Sequence, residues 1–433
     1  MSERQLTSAP YNHILTNANV WSPDGKWVYY DVRSALDGSE FDGTRIERVH
    51  TETGEVQVVY RSRNGACCGV VTASPVDDRV IFILGPEHPT DDWAYSAWHR
   101  RGAMLRAGLP DTLATLDARN IVSPFTPGAL RGGTHVHVFS GDGKWVSFTY
   151  EDHVLATSDN PAAAKNQRNI GVAAPYGEVH VPSTHPRNHD GKAFCALVTQ
   201  TWDAPRPGSD QISRAYSDAW VGNAGYVKED GSRQQRALAF LGDVVARDGR
   251  TVSELFLVDI PEDITQPGAG PLSGTERTRP APPHGAHQRR LTNTVDRPYP
   301  GLGPTRHWPR SSPDGSEIAL SMPDEKGRGQ LWTISPTGKG LRQLTRAEQG
   351  IASAFTWRAD GKAIACVSNG RVCEVDSHSG RVLPLSAPTH GPSVRPEAVV
   401  YSPDGATIAY VRPVSTSGTL LNQIFVVPSE INR

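Results

Sequence analysis

The chain has 433 residues, with Lys+Arg 44 against Asp+Glu 46 and a formal net charge of −2, which argues against a basic nucleic-acid surface. Gly 41 and Pro 34 punctuate a sequence that is 37% hydrophobic, a turn-rich composition with enough apolar residues for a sizeable core. No window approaches the roughly 18 apolar residues that span a bilayer, and the start MSERQLTSAPYNHILTN lacks a basic region followed by an apolar run, so a soluble cytoplasmic chain is expected. The five cysteines, Cys67, Cys68, Cys195, Cys366 and Cys373, show no CxxC spacing and read as reduced, mostly buried thiols.

Taken in chain order, one pattern recurs: WSPDGKWVYYDVR at 21–33, ASPVDDRVIFILG at 73–85, FSGDGKWVSFTY at 139–150, THPRNHDGKAFCALV at 184–198, SSPDGSEIALSM at 311–322, WRADGKAIACVS at 357–368 and YSPDGATIAYVR at 401–412. Each copy reads as a strand, a tight turn in which Gly supplies positive φ, and a second strand of alternating apolar residues. Several copies continue into a third strand and a fourth ending in Leu-Thr, as in GQLWTISPTGKGLRQLT at 329–345. Four strands per unit and seven units predict an all-β fold: one seven-bladed β-propeller over 1–433. The seventh unit lacks a fourth strand, and NHILT at 12–16 is expected to supply it and close the ring. The stretch RALAFLGDVV reads as an extra hairpin. Insertions are expected over about 86–131, 201–236 and 262–288; the Pro/Gly-rich 262–288 reads as disordered, and DDWAYSAWHRR and SRAYSDAWVG read as ordered lids.

A propeller sets the first strand of every blade against the central channel, so equal register positions should lie at equal height. Counting from the turn anchors Ser22, Ser74, Ser140, His185, Ser312, Arg358 and Ser402, position minus five reads Asn17, Gly69, His135, His180, His307, Ser353 and Glu397. Position minus three, on the same face by the period of two, adds His137. Imidazoles with a carboxylate form a normal divalent-metal set suited to Mn, Fe, Zn or Ni; hydrogen bonding to channel water or neighbouring blades is the competing reading. His189 fits a turn, and His99, His153 and His378 stand alone, although His99 adjoins Arg100 and Arg101, a pair able to hold a carboxylate or phosphate. Arg306 beside His307, and Arg395 near Glu397, point an anionic ligand toward the same mouth. There is no GxSxG, P-loop, GxGxxG or HExxH, which leaves serine-hydrolase and nucleotide chemistry unsupported.

The Ser-Pro-Asp-Gly repeats resemble the TolB-type propeller repeat. The run GGTHVHVFSGDGKWVSFTYEDH at 132–153, with GPEHPTDDWAYSAWHRRG and HPRNHDGKAFCALV around it, looks like the bacterial YidR-like family, which is similar to oligogalacturonate lyase. That resemblance implies a channel-mouth manganese held by three histidines and a glutamine, with His135 and His137 matching its HxH pair. The glutamine position falls on Gly132, so the set would be completed by His180 or His307, with Glu397 as an oxygen ligand. It further implies β-elimination on a uronate-containing oligosaccharide, the metal acidifying the C5 proton. His99, His185 and Arg306 are the candidate bases; Trp93, Trp98 and Trp220 would stack on sugar rings, with Arg100, Arg101 and Arg395 on carboxylates. The expected partner is thus a small acidic oligosaccharide, with neither nucleic acid nor membrane. The alternative is a non-catalytic TolB-like propeller that binds a protein or peptide, which needs neither the imidazoles nor a metal.

Overall fold

The turn at 22–25 shows why the repeat is written as it is. Ser22 Oγ donates to Asp24 Oδ1 (2.5 Å) and accepts from Trp27 N (3.0 Å), while Gly25 sits at φ 69°, a left-handed conformation that side chains resist. Ser140, Ser312 and Ser402 repeat this with Asp142, Asp314 and Asp404. In the computed structural model, which describes residues 3–388, 393–416 and 418–430, these turns link the inner two strands of four-stranded antiparallel sheets. Among the described residues seven such sheets form the blades of a β-propeller, and the one α-helix is His153–Ala156. No helix is long and apolar enough to cross a membrane among the described residues.

Blade 1 comprises Asn12–Ile14, Trp27–Arg33, Arg45–His50 and Val56–Arg61; blade 2, Cys68–Ala73, Arg79–Leu84, Arg101–Arg106 and Leu109–Thr115. Blade 3 comprises Gly132–Phe139, Val146–Asp152, Asn169–Ala174 and Phe194–Leu197; blade 4, Ile212–Trp220, Ala237–Val245, Thr251–Asp259 and His287–Arg290. Blade 5 comprises Arg310–Ser311, Ile318–Pro323, Gly329–Ile334 and Arg342–Gln343; blade 6, Thr356–Trp357, Ala363–Ser368, Arg371–Asp376 and Val382–Pro384. Blade 7 takes Val399–Tyr401, Thr407–Thr416 and Thr419–Pro428 from the end of the chain and Arg4–Gln5 from its start. Apolar clusters fill every interface between neighbouring blades, including that between blades 7 and 1, where Leu6, Val28, Val400 and Ile424 meet. All five cysteines are free, and four of them are buried.

The Leu-Thr signature is a latch. Thr345 Oγ1 accepts from Leu331 N (2.9 Å) and donates to Gln330 Oε1 (2.8 Å), fastening the outer strand to the third. Thr292 does the same with Leu255 and Glu254, and Thr199 with Ile170 and Asn169. At ring closure Thr7 accepts from Ile424 N (2.9 Å) and donates to Gln423 Oε1 (2.8 Å).

Four expectations are corrected here. The closing strand is Arg4–Gln5, within Arg-Gln-Leu-Thr at 4–7, whereas NHILT at 12–16 contributes the inner strand of blade 1. The segment at 184–198 is no blade turn: it runs along the outer edge of blade 3 through bridges Val179–Gly191 and Arg119–His189, and ends as that blade's fourth strand. RALAFLGDVV is the second strand of blade 4, whose turn is replaced by 221–236 carrying the small hairpin Tyr226–Val227/Arg233–Gln234. Finally, 262–288 is an ordered strap, held where the buried Arg131 pairs with Asp152 (2.8 Å) and donates to the carbonyls of Thr275 and Thr278.

Candidate functional site: an arginine-lined mouth

The inner strands of blades 2, 3 and 4 each carry a bulge at the same register, between Gly69 and Thr72, His135 and Val138, and Tyr216 and Ala219. The extra residue is left-handed each time: Val70 at φ 57°, Val136 at 53° and Ser217 at 57°. A β-branched residue there is a strained outlier, and such outliers gather at working sites. All three line one cavity of about 780 Å³ at the channel mouth, with His135 and Tyr216 on its wall.

Six arginines line that cavity: Arg33, Arg100, Arg168, Arg214, Arg306 and Arg395. Arg33 pairs with Asp31 (2.8 Å) and Arg395 forks onto Glu397. Arg100 (3.7 Å) and Arg168 (3.3 Å) share Glu151. Arg214 lies over the ring of Tyr216 and Arg306 over that of Trp308, and neither forms an ion pair among the described residues. Burial and Arg214 pull the Arg306 guanidinium below its ordinary value against the opposing Glu397, and Arg168 is lowered by burial and by both Arg214 and Arg100 against Glu151. Arg100, Arg168, Arg214 and Arg306 therefore form a row of cations whose mutual repulsion Glu151 and Glu397 offset only in part.

His135 faces the cavity with Nδ1 2.7 Å from Arg100 Nη2. Burial first, then Arg100 and Arg168, push its pKa well below 6.5, so it is neutral. A guanidinium only donates, which makes Nδ1 the acceptor and places the imidazole proton on Nε2. Tyr216, pushed up to about 12 by burial and Asp243, donates to Asp243 Oδ1 (2.9 Å).

The other nominated metal ligands do not converge with His135. The bulge at Val136 breaks the period of two, so His137 turns away between blades 2 and 3, its Nε2 2.9 Å from Thr134 Oγ1. His180 stands exposed at the outer edge of blade 3, 2.7 Å from Asp190. His307 reaches the cavity wall with both ring nitrogens engaged, Nδ1 with Thr305 O (3.0 Å) and Nε2 accepting from Ser321 N (3.2 Å). Glu397 lines the cavity in its fork with Arg395. Among the described residues no group of three or more His, Cys, Asp or Glu is placed to hold a metal ion. The donors present do not fit the expected manganese set.

Of the expected bases, Arg306 alone lines the cavity. His99 bonds Ala94 O (2.8 Å) and His153 (3.1 Å), stacks on Trp93 at 3.7 Å, and belongs to a separate rim cluster with His185. Trp93 is buried in that cluster, and Trp98 meets His99 edge-on. Arg101 pairs with Glu87, whereas Arg100 lines the mouth. Trp220 is no lid: its Nε1 donates to Val138 O near the turn end of the channel. Arg33, Arg168 and Arg214 had escaped notice. Arg214 becomes visible two positions before Tyr216 once blade 4 is anchored on Val221.

Fold and mouth together define a seven-bladed propeller with an arginine-lined channel entrance. A family model described as "Protein of unknown function (DUF3748)" matches residues 67–189, which span much of blades 2 and 3. The chain is 47% identical to "Uncharacterized protein YidR" of Escherichia coli (strain K12) over 412 residues, 94% of each sequence, and it belongs to that family. Among solved structures, an oligogalacturonate lyase in complex with manganese superposes with TM-score 0.56 at 11% identity, covering 99% of this chain and 93% of that one. The oligogalacturonate lyase of Vibrio parahaemolyticus gives 0.57 at 9% identity with the same coverage. At these identities the likeness establishes the propeller fold.

Proposed function

We propose that the chain binds an acidic oligosaccharide at the arginine-lined mouth and cleaves it by β-elimination at a uronate. The observation that carries this reading is the pair Arg214 and Arg306, two cations lining one cavity, neither of which forms an ion pair among the described residues. The manganese of the lyase neighbour finds no matching donor set among the described residues. The five free thiols support a reducing, cytoplasmic setting.

A uronate carboxylate held between Arg214 and Arg306 has its charge neutralised, which eases loss of the adjacent C5 proton. The C5–H electrons form the C4=C5 double bond, the C4–O bond breaks with its pair on oxygen, and solvent protonates that leaving oxygen. Glu397 is the proton acceptor in this reading: its side chain is 46% exposed, whereas Asp31 is fully buried against Arg33 and the Val70 N–H, and Asp37 is engaged by its own turn through Ser39 (2.7 Å). The test is incubation with oligogalacturonates while following ultraviolet absorbance of the unsaturated product. Arg306→Ala and Glu397→Gln should each lower the rate by about 10²-fold or more. Turnover in the double variant Arg214→Ala/Arg306→Ala equal to that of the parent would refute the reading.

A further inference from the structure

We infer that the mouth takes its anion without a metal, with Arg100 fixing His135 as a hydrogen-bond donor and the arginine row supplying the positive charge. The inference rests on the acidic-ligand reading of the same cavity and adds how the charge is held.

The argument starts from what each group can do. A guanidinium has five N–H donors and no acceptor, so the 2.7 Å contact between Arg100 Nη2 and His135 Nδ1 uses the lone pair on Nδ1. The neutral ring then carries its proton on Nε2. A metal ion needs a ring lone pair, and this imidazole has none left to offer without breaking the Arg100 contact. A divalent cation at Nδ1 would also take the place of a guanidinium that Glu151 helps to hold. His307, the other imidazole at the wall, accepts a backbone N–H at Nε2 and faces Thr305 O with Nδ1. Both imidazoles are thereby committed.

The charged and imidazole groups facing the cavity from blades 2 to 5 are accordingly donors: Arg100, His135 Nε2–H, Arg168, Arg214 and Arg306. Arginine forks match the planar oxygens of a carboxylate. Several carboxylates spaced along one oligomer would relieve the mutual repulsion of the row in a way that one small anion would not.

The experiment uses the full chain, dialysed against EDTA or supplied with Mn²⁺, with calorimetric titration of trigalacturonate and, separately, of inorganic sulfate. Trigalacturonate affinity should agree within about twofold between the two preparations and fall at least about tenfold in Arg100→Ala, as loss of charge-assisted bonds requires. His135→Gln, which can keep an N–H near the Nε2 position, should retain affinity within about threefold, while His135→Ala should not. Binding lost on EDTA treatment and restored by Mn²⁺ would overturn the inference and leave the uronate reading standing. Chelator-resistant, Arg100-dependent binding of sulfate without trigalacturonate would uphold the metal-free site and sink the uronate reading. Binding of either anion that ignores both Arg100 and His135, or of neither in any preparation, would overturn the inference.

Discussion

Replacing Thr7 by valine tests how the ring is held shut. The substitution is nearly isosteric, so it leaves no cavity and removes only the hydroxyl. That hydroxyl accepts from Ile424 N (2.9 Å) and donates to Gln423 Oε1 (2.8 Å), at a site where Thr7 is 2% and both partners 0% exposed. An orphaned buried group costs about 1–3 kcal/mol, and Gln423 keeps one other bond, from its Nε2 to Ala9 O. The pair should therefore cost about 2–4 kcal/mol, read as a lower urea midpoint at unchanged slope. Thr7→Ser deletes a buried methyl and keeps the latch, so it should cost about 1 kcal/mol. Thr345→Val, which breaks the same latch inside blade 5, serves as the covalently continuous control and should lose a similar amount. A loss below about 0.5 kcal/mol for Thr7→Val, or a larger loss for Thr7→Ser, would refute the latch argument.

Arg131→Met strands the buried carboxylate of Asp152 and releases the strap carbonyls of Thr275 and Thr278; about 3–5 kcal/mol should be lost, with new proteolytic cleavage in 262–288 as the check. His307 has its pKa lowered to about 4 by burial, so the unfolded chain binds its proton more readily, and stability should decline as pH falls from about 6.5 toward 4 and be full above that window. His307 should contribute about 3 kcal/mol of the decline across the window, beside the other buried histidines lowered by burial such as His137 and His153, so the slope should lessen by that share in His307→Gln, followed by urea titrations at several pH values. A Cβ on Gly102 would meet His137 Nε2 at 2.8 Å and Asp117 Oδ1 at 3.1 Å, so Gly102→Ala should cost about 1–3 kcal/mol by overpacking, measurable as a reduced urea midpoint.

The seven-fold repeat was legible because a Ser-Asp-Gly turn leaves the same chemical trace wherever it occurs. Blade 4 was not, since 221–236 replaces its turn while Asn188–Gly191 at the edge of blade 3 mimics one. That single misplacement put His180 in the channel and hid Arg214. His137 went astray for a different reason: alternation holds only while a strand is regular, and the left-handed Val136 lies between it and His135. Ring closure was legible in kind, yet the matching Arg-Gln-Leu-Thr lay eight residues before the segment chosen. Arg214 and Arg395 share one register, seven residues before Val221 and Ser402, but Arg33, Arg100, Arg168 and Arg306 come from other strands and connecting segments, so only the folded ring assembles the set.

A ring fastened by Arg4–Gln5 pairing with Thr419–Pro428, a strand far downstream in the chain, has a consequence for its own synthesis. At about 5–20 residues per second the closing strand leaves the ribosome early and waits tens of seconds for the edge it must pair with. Until Thr419–Pro428 emerges, that edge does not exist. Blades 1 to 6 can stack in turn as they appear, but the last interface forms only once blade 7 has emerged. Until then blade 1 presents an unguarded apolar flank and the first strand has no partner, which makes late closure the point at which chaperone dependence and domain swapping should concentrate.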